Sequence, residues 1–197
     1  MVIDLIDLLI KQSPSLESML FALLDKGEVA LFGGVVRDIA ILGKPVNLRD
    51  IDIVVSVPSN EVLLPIFRSL NYRRTRFGGF HCFIDGLSLD IWALGETWAF
   101  REKLLEPAIE NLPRSVFLTI NAVVITLGNR KMHEYKFFES INKRTIDIVL
   151  EKNPFPALCV LRALVLRRKY DFVFSDALRA VSYTHLRAHE TRHDLVC

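Results

Sequence analysis

The residues best suited to chemistry in this chain lie between Leu31 and Val55, in LFGGVVRDIAILGKPVNLRDIDIVV. Gly33 and Gly34 follow a short apolar run and precede Val35-Val36-Arg37-Asp38. Glycines at that junction let the backbone come close to a phosphate, and a helix opening behind them presents free N–H groups and a partial positive charge. Arg37 falls one turn into that helix, where a forked guanidinium suits a triphosphate. Asp50 and Asp52 follow, separated by one residue in an apolar strand, so both project from one face. Carboxylates that close repel each other unless a cation sits between them, and magnesium carried on nucleotide phosphates is the usual cation. Asp90, in Leu89-Asp90-Ile91, is an acid between apolar neighbours in a later strand. Three carboxylates on adjacent strands could hold two metal ions, one activating an attacking hydroxyl and one steadying a leaving pyrophosphate. Taken singly, each feature has a plainer explanation: Gly-Gly as a turn, Arg37 or Asp38 as a solvated helix face, Asp50 as the start of a strand. Their joint order carries the expectation.

The elements that must position these residues are legible in outline. Leucines and isoleucines at helical spacing over residues 3–25, broken by Ser13-Pro14, predict two helices closed by Gly27. Glu28–Phe32 reads as a short strand, Val35–Leu42 as a helix ended by Gly43 and Pro45, and Ile51–Val57 as a β-branched strand. Ser59–Leu70 is predicted to be a helix capped by Ser59, and Tyr72–Trp92 a hairpin turning at Asp85-Gly86. A helical stretch around Glu96–Leu105, a strand over Phe117–Leu127, short hairpin strands across Asn129–Ile148 and an arginine-rich helix over Pro156–Lys169 complete the order. Without a regular βαβ rhythm, this mixture predicts an α+β domain: a mixed sheet with flanking helices.

A chain of 197 residues exceeds one domain of about 150, so one complete domain and the start of another are expected. An apolar content of 51% excludes a disordered chain. No run of about 18 uncharged apolar residues occurs, so no membrane-spanning helix is expected. The segment Met1–Lys11 carries Asp4 and Asp7 and makes a poor secretory signal, which predicts a cytoplasmic location and no membrane partner. Cys82, Cys159 and Cys197 are too few for a disulfide framework or a CxxC metal site. A net charge of +2 does not itself name a polyanionic partner, although arginines cluster at Arg73, Arg74 and Arg76 and at Arg162, Arg167 and Arg168. The first cluster, beside Gly78-Gly79, fits either a phosphate guide or a solvated hairpin edge. Trp92, Trp98, Phe80, Phe83, Phe137 and Phe138 are expected in the core, Cys82 and Cys159 as small buried hydrophobes. His81 and His133 have no partner pattern and are expected at the surface or in a hairpin.

GGVVRD followed by DIDIVV resembles the head domain of the class II CCA-adding enzymes and bacterial poly(A) polymerases, within the DNA polymerase β-like nucleotidyltransferase superfamily. RFGGFHCFIDGLSLDIWAL is similar to that family's hairpin with a third acidic residue, FLTINAVVITL to its FTINA strand, and PFPALCVLRALVLRRKYDF to the opening helix of its neck. The resemblance implies N-terminal helices over residues 1–26, a polymerase β-like head domain over 27–152 and the start of a helical neck over 153–180. It implies magnesium-dependent, template-independent transfer of a nucleoside monophosphate from an NTP to a hydroxyl, with an RNA 3′ end of tRNA-like kind as acceptor and pyrophosphate as leaving group. On these motifs Asp50, Asp52 and Asp90 would be the catalytic carboxylates and hold two Mg²⁺ ions, while Gly33, Gly34, Arg37, Asp38, Asn121 and Arg162 would bind the nucleotide. Two departures stand out. Val116-Phe117 occupy the places of the family's Arg-Asp before FTINA, with Arg114 close by, and Cys159 replaces the first neck arginine, with no Glu-Asp around Phe155-Pro156. The family's residues there serve nucleotide holding and selection rather than metal binding.

The hydrophobic period stops near Val181, and His185, His189 and His193 crowd the end of the chain. SYTHLRAHET resembles translated sequencing-adaptor sequence, so residues 181–197 are expected to be a non-native tail on a truncated neck. Within it His189-Glu190-Thr191-Arg192-His193 matches HExxH, which places two histidines on one helical face for zinc beside a glutamate base. Readings from other classes therefore stand beside the transferase: a non-catalytic nucleotide- or RNA-binding relative, a transferase acting on a protein or small molecule, and a zinc hydrolase.

Overall fold

The computed structural model describes residues 2–44, 50–68 and 70–193, with side chains described as far as Thr184. Pro45, expected to help end the helix after the glycines, lies outside the described residues, as do the side chains of the HExxH string. The chain divides into two compact units, residues 1–115 with 123–134, and residues 116–122 with 135–197.

The first unit begins with α1 (Val2–Lys11) and α2 (Pro14–Leu24). Ser13 caps α2, its hydroxyl accepting from the Leu16 N–H at 3.2 Å, and Pro14 supplies the preset φ of a first helical position. Leu16, Met19, Leu20 and Leu23 recur at helical spacing and are buried. There follow β1 (Val29–Phe32), α3 (Gly34–Leu42), β2 (Asp50–Val55), α4 (Leu64–Phe67), β3 (Tyr72–Arg74), β4 (Phe80–Ile84), β5 (Leu87–Ala93), α5 (Trp98–Arg101), β6 (Val123–Thr126) and β7 (Met132–Glu134). Among the described residues seven strands form one sheet in the order β3-β4-β5-β2-β1-β6-β7, with β2 and β5 parallel and the other neighbours antiparallel. This is the α+β mixed sheet with flanking helices that the sequence predicts.

The pleat separates two faces. Leu31, Ile51, Ile53, Leu89 and Ile91 lie on one, and none is more than 3% exposed. Ile6, Leu16, Leu20 and Val35 of the helices meet Leu31 and Ile51 there around one small void. Removing each such side chain from water stabilises the fold by about 1.5–3 kcal/mol. The opposite face carries the polar residues of β2, β4 and β5. Strand order and alternation therefore aim the candidate carboxylates away from the helix-covered core.

Ser59–Leu70, expected as one helix, is instead a 3-10 turn over Asn60–Val62 and the single turn of α4. Pro65 has no N–H for a continuous helix, and the ring clashes with the carbonyl one turn back. The buried Asn60 is turned to another use: its Oδ1 accepts from the Ala93 N–H at 2.8 Å, and Ser59 makes no cap bond.

The second unit contains α6 (Phe137–Asn142), β8 (Thr145–Ile146), α7 (Pro156–Tyr170), β9 (Val173–Phe174) and α8 (Asp176–His193), with β8 and β9 parallel. Its first segment includes a 3-10 turn over Thr119–Asn121, so the strand expected over Phe117–Leu127 survives only as β6. Thr119 explains the break: its hydroxyl accepts from the Asp147 N–H and donates to Ser140 Oγ, both at 3.0 Å, competing with a strand ladder. The expected hairpin strands across Asn129–Ile148 likewise become β7, α6 and β8, because Phe137 and Ser140 recur at helical spacing and are buried after a left-handed Lys136. In α7 the buried side chains are Val160, Ala163, Leu166 and Tyr170, and the helix ends at a left-handed Asp171. The helix α8 runs through Val181 without a break, opened by Ser175, whose hydroxyl accepts from the Leu178 N–H at 3.1 Å.

Candidate active site

The turn between β1 and α3 is built on Gly33, whose φ of 66° and ψ of −119° are those of the first central residue of a type II′ turn, a conformation that favours glycine. Its carbonyl accepts the first helical bond, from the Arg37 N–H at 3.0 Å. A Cβ on Gly33 would stand 3.3 Å from Asp52 Oδ2, so the missing side chain leaves an open cradle beside that carboxylate. Gly34 begins α3, and a Cβ there would lie 3.5 Å from the Arg37 Nη2. Arg37 forms a close ion pair with Asp38, with Nε and Nη2 at 2.7 and 2.6 Å from Asp38 Oδ1. The nucleotide-binding expectation for Asp38 thus falls on a residue that orients Arg37.

Register gathers the other candidates. Asp52 on β2 stands directly opposite Asp90 on β5, and Asp90 opposite His81 on β4, which in turn faces Arg73 on β3. On the other side Asp52 faces Phe32, the residue before Gly33. Directly opposed residues share a face. One row across the sheet therefore reads Arg73, His81, Asp90, Asp52, Phe32 and runs into the glycine cradle. Asp50, two residues back along β2, projects from the same face opposite Ser88 and is exposed. Asp90 is 46% exposed at its side chain, so it points to solvent rather than into the apolar interior.

Two like charges opposed on neighbouring strands destabilise a sheet unless something offsets them. His81 meets Asp90 from the β4 side, its Nδ1 lying 2.7 Å from Asp90 Oδ1. His81 takes the hairpin position among those expected of it, on β4, but is only 9% exposed, and its Nε2 is buried without a hydrogen-bond partner. The register held the clue to this partner: a two-residue turn at Asp85-Gly86 pairs Ile84 with Leu87 and, counting back, His81 with Asp90. On the opposite face Cys82 is buried as expected, and burial, aided by the Asp90 charge, pushes its thiol up to about 11. Cys159 is half-buried and its thiol is also raised by burial, the Arg162 charge opposing.

The aromatic expectation holds for Phe80 and Phe137, which are fully buried, but Phe83 and Phe138 are exposed, at 69% and 44%. Phe83 follows from its place on β4: alternation sends it to the open face beside His81, with ring centroids 5.0 Å apart. Trp92 donates from Nε1 to Thr97 Oγ1 at 3.0 Å and meets Phe32 edge-on. Arg74 is tied to Glu61, to the Gly78 carbonyl and over the Phe80 ring. Asn121 and Arg162 belong to the second unit, Asn121 ending the 3-10 turn and Arg162 exposed on α7.

Among the described residues no three His, Cys, Asp or Glu side chains converge into a metal-holding group. Magnesium needs less from a protein: it keeps waters and takes one or two carboxylates together with substrate phosphates. The donor set here is oxygen-only, supplied by Asp50, Asp52 and Asp90 from one sheet face, and the Gly33 cradle leaves room beside Asp52 for an incoming phosphate. These residues fit a nucleotide-borne magnesium ion. No described helix is long and apolar enough to cross a membrane.

No protein-family profile matches the sequence, and no curated protein matches it. Solved structures do. A tRNA nucleotidyltransferase complexed with a primer tRNA and an incoming ATP analogue is 26% identical, with a TM-score of 0.59 over 82% of this chain and 47% of that one. A CCA-adding enzyme complexed with ATP is 22% identical, with a TM-score of 0.65 over 95% of this chain and 46% of that one. The Thermotoga maritima CCA-adding enzyme complexed with tRNA is 24% identical, with a TM-score of 0.60 over 82% and 38%. The chain thus spans less than half the length of each of these proteins, and it has the mixed-sheet nucleotidyltransferase fold of their head domains.

Proposed function

We propose that this chain is the head of a template-independent RNA nucleotidyltransferase that moves a nucleoside monophosphate from an NTP to a hydroxyl, most simply an RNA 3′ end, and releases pyrophosphate. The observation that carries this reading is the placement of Asp52 opposite Asp90 in parallel register, beside the cradle at Gly33. The RNA acceptor is supported by the tRNA-bound neighbours of the same fold and not by the small net charge.

In this reading Gly33 and the first N–H groups of α3 receive the triphosphate, and Arg37, steered by Asp38, supports its charge. Asp50 and Asp52 hold the nucleotide's magnesium, and Asp90 completes the carboxylate set on the side of the attacking hydroxyl. Magnesium, when bound, neutralises charge that builds on the phosphoryl oxygens and on the leaving group. The acceptor oxygen forms a bond to the α-phosphorus while the bond to the β-phosphate oxygen breaks. Pyrophosphate leaves with that electron pair, and the hydroxyl proton passes to Asp90.

Replacing Asp52 with Ala removes a magnesium ligand and, with it, stabilisation of the charge that builds in the transition state. Incorporation of labelled nucleotide into RNA is expected to fall by more than about a hundredfold, with far-UV circular dichroism unchanged. Full incorporation by that variant overturns the assignment. A second reading, nucleotide or RNA binding without transfer, is favoured by Val116-Phe117 and Cys159 in place of the family's polar residues. It requires an unaltered protein that incorporates no label and keeps its NTP or RNA affinity when Asp50 and Asp52 are both neutralised.

A further inference from the structure

We propose that His81 is the positioning residue of Asp90, holding one carboxylate oxygen so that the other serves the space between Asp90 and Asp52; the inference rests on the nucleotidyl-transfer reading above. An ionised carboxylate only accepts, so the proton in the 2.7 Å contact sits on His81 Nδ1. The other ring nitrogen, Nε2, is buried and has no hydrogen-bond partner. An apolar side chain in the same place would carry no such unsatisfied atom. Nor does Asp90 need the histidine for solvation, because its side chain is nearly half exposed to water. Stability alone therefore gives no reason for a histidine at this position.

Geometry gives one. His81 and Asp52 flank Asp90 from opposite sides in the same row of the sheet. With Oδ1 committed to β4, the carboxylate cannot rotate freely about its last bond, and its second oxygen is left for the β2 side. The histidine is itself fixed, by burial and by the edge contact of its ring with Phe83. A fixed partner behind a metal-ligating group characteristically governs metal affinity or activity by about 10–100-fold.

The test uses the full chain with Mn²⁺ alone as probe, its binding followed by electron paramagnetic resonance without nucleotide. His81→Phe keeps a ring against Phe83 and removes the donor; His81→Leu is the second variant should the first fail to fold. Either is expected to weaken Mn²⁺ binding by about 10–100-fold with the melting temperature unchanged or raised. His81→Asn, whose amide nitrogen occupies the place of Nδ1, is expected to restore binding to within about threefold of the parent. In an Asp90→Asn background His81→Phe is expected to add no further loss, and in turnover assays it is expected to lower kcat more than it changes KM for the NTP. A His81→Phe protein that binds Mn²⁺ like the parent and only melts earlier assigns His81 a structural role and overturns the proposal. Asp52→Asn separates the two layers. If it leaves Mn²⁺ affinity intact, the nucleotidyl-transfer reading fails and this inference with it; if it weakens binding while His81→Phe does not, only the role of His81 fails.

Discussion

Substituting Gly33 with Ala tests the cradle directly. At φ 66° and ψ −119° an L-residue is held outside its allowed regions, which costs about 1–3 kcal/mol. The new Cβ would also lie 3.3 Å from Asp52 Oδ2, closer than ordinary van der Waals contact, so the carboxylate must give way. Taking about 2 kcal/mol for the strain, and about 2–4 °C per kcal/mol for a chain of this size, the melting temperature should fall by about 4–8 °C. Function should suffer more than stability. Catalytic groups must be held within about 0.5 Å, and a displacement of about 1 Å costs on the order of a hundredfold. Labelled-nucleotide incorporation is therefore expected to drop by about a hundredfold or more at a temperature where the variant remains folded. Gly34→Ala is the stability control, since its Cβ would meet only the Arg37 guanidinium at 3.5 Å and the position lies inside α3; its melting temperature should stay near the parent's. A Gly33→Ala protein with the parent's melting temperature and turnover refutes the argument that this turn shapes the site.

Three further outcomes follow from the same unit. Ser13→Ala removes the cap on Leu16 and the hydroxyl that Ser13 donates to Asp85 at 2.6 Å; it should cost about 1–2 kcal/mol in urea denaturation. Because the Ser13 and Ser15 hydroxyls hold the Asp85 carboxyl below the usual aspartate range, the same variant should move the Asp85 titration upward, as read by carboxyl-carbon NMR. For Cys82, the native thiol keeps its proton up to about 11, while the unfolded thiol loses it near 9.0. Between those values the unfolded chain binds fewer protons, so stability falls as pH rises across that window, by at most roughly 1.4 kcal/mol per pH unit, and is unaffected by this group at lower pH. Cys82→Ala should flatten that part of the stability profile; an identical slope in parent and variant contradicts the burial argument.

The parts of the fold readable in sequence are those where a local rule and the tertiary structure agree. Gly33-Gly34 opens a helix, Asp50-x-Asp52 sits in a β-branched strand, Ser13-Pro14 starts α2, and Asp85-Gly86 turns the hairpin with φ of 50° and 81°. Those are short-range signals, fixed by φ preferences and period. The misreadings lie where long-range contacts decide. Asn60 spends its side chain on the backbone of Ala93, and Thr119 on Asp147 and Ser140, so neither segment completes the regular element its apolar pattern suggests. His81 carries no local signal of its contact, because its hydrogen-bond partner lies nine residues away and only strand pairing brings the two together.

That dependence on pairing links the site to a turn that carries no chemistry. A one-residue slip of β4 against β5 would set Phe80 or Cys82 opposite Asp90 and turn every side chain of β4 to the other face. His81 would then enter the apolar side of the sheet, and the Asp52–Asp90 pair would lose its hydrogen-bonded neighbour. The register is held by Asp85 and Gly86, both at positive φ as a two-residue hairpin turn requires. Asp85 is clamped in turn by hydroxyls of Ser13 and Ser15 at the start of α2. Ser13 thus contributes in two directions, capping a helix of the core and pinning the turn that sets which residue faces Asp90. A defect in Ser13→Ala confined to stability separates the two contributions: if the turn holds its register without that bond, the His81–Asp90 hydrogen bond persists, and the histidine ring NMR signals of the folded variant match those of the parent. Altered His81 signals in a fully folded Ser13→Ala protein would instead locate control of the site at the α2 cap.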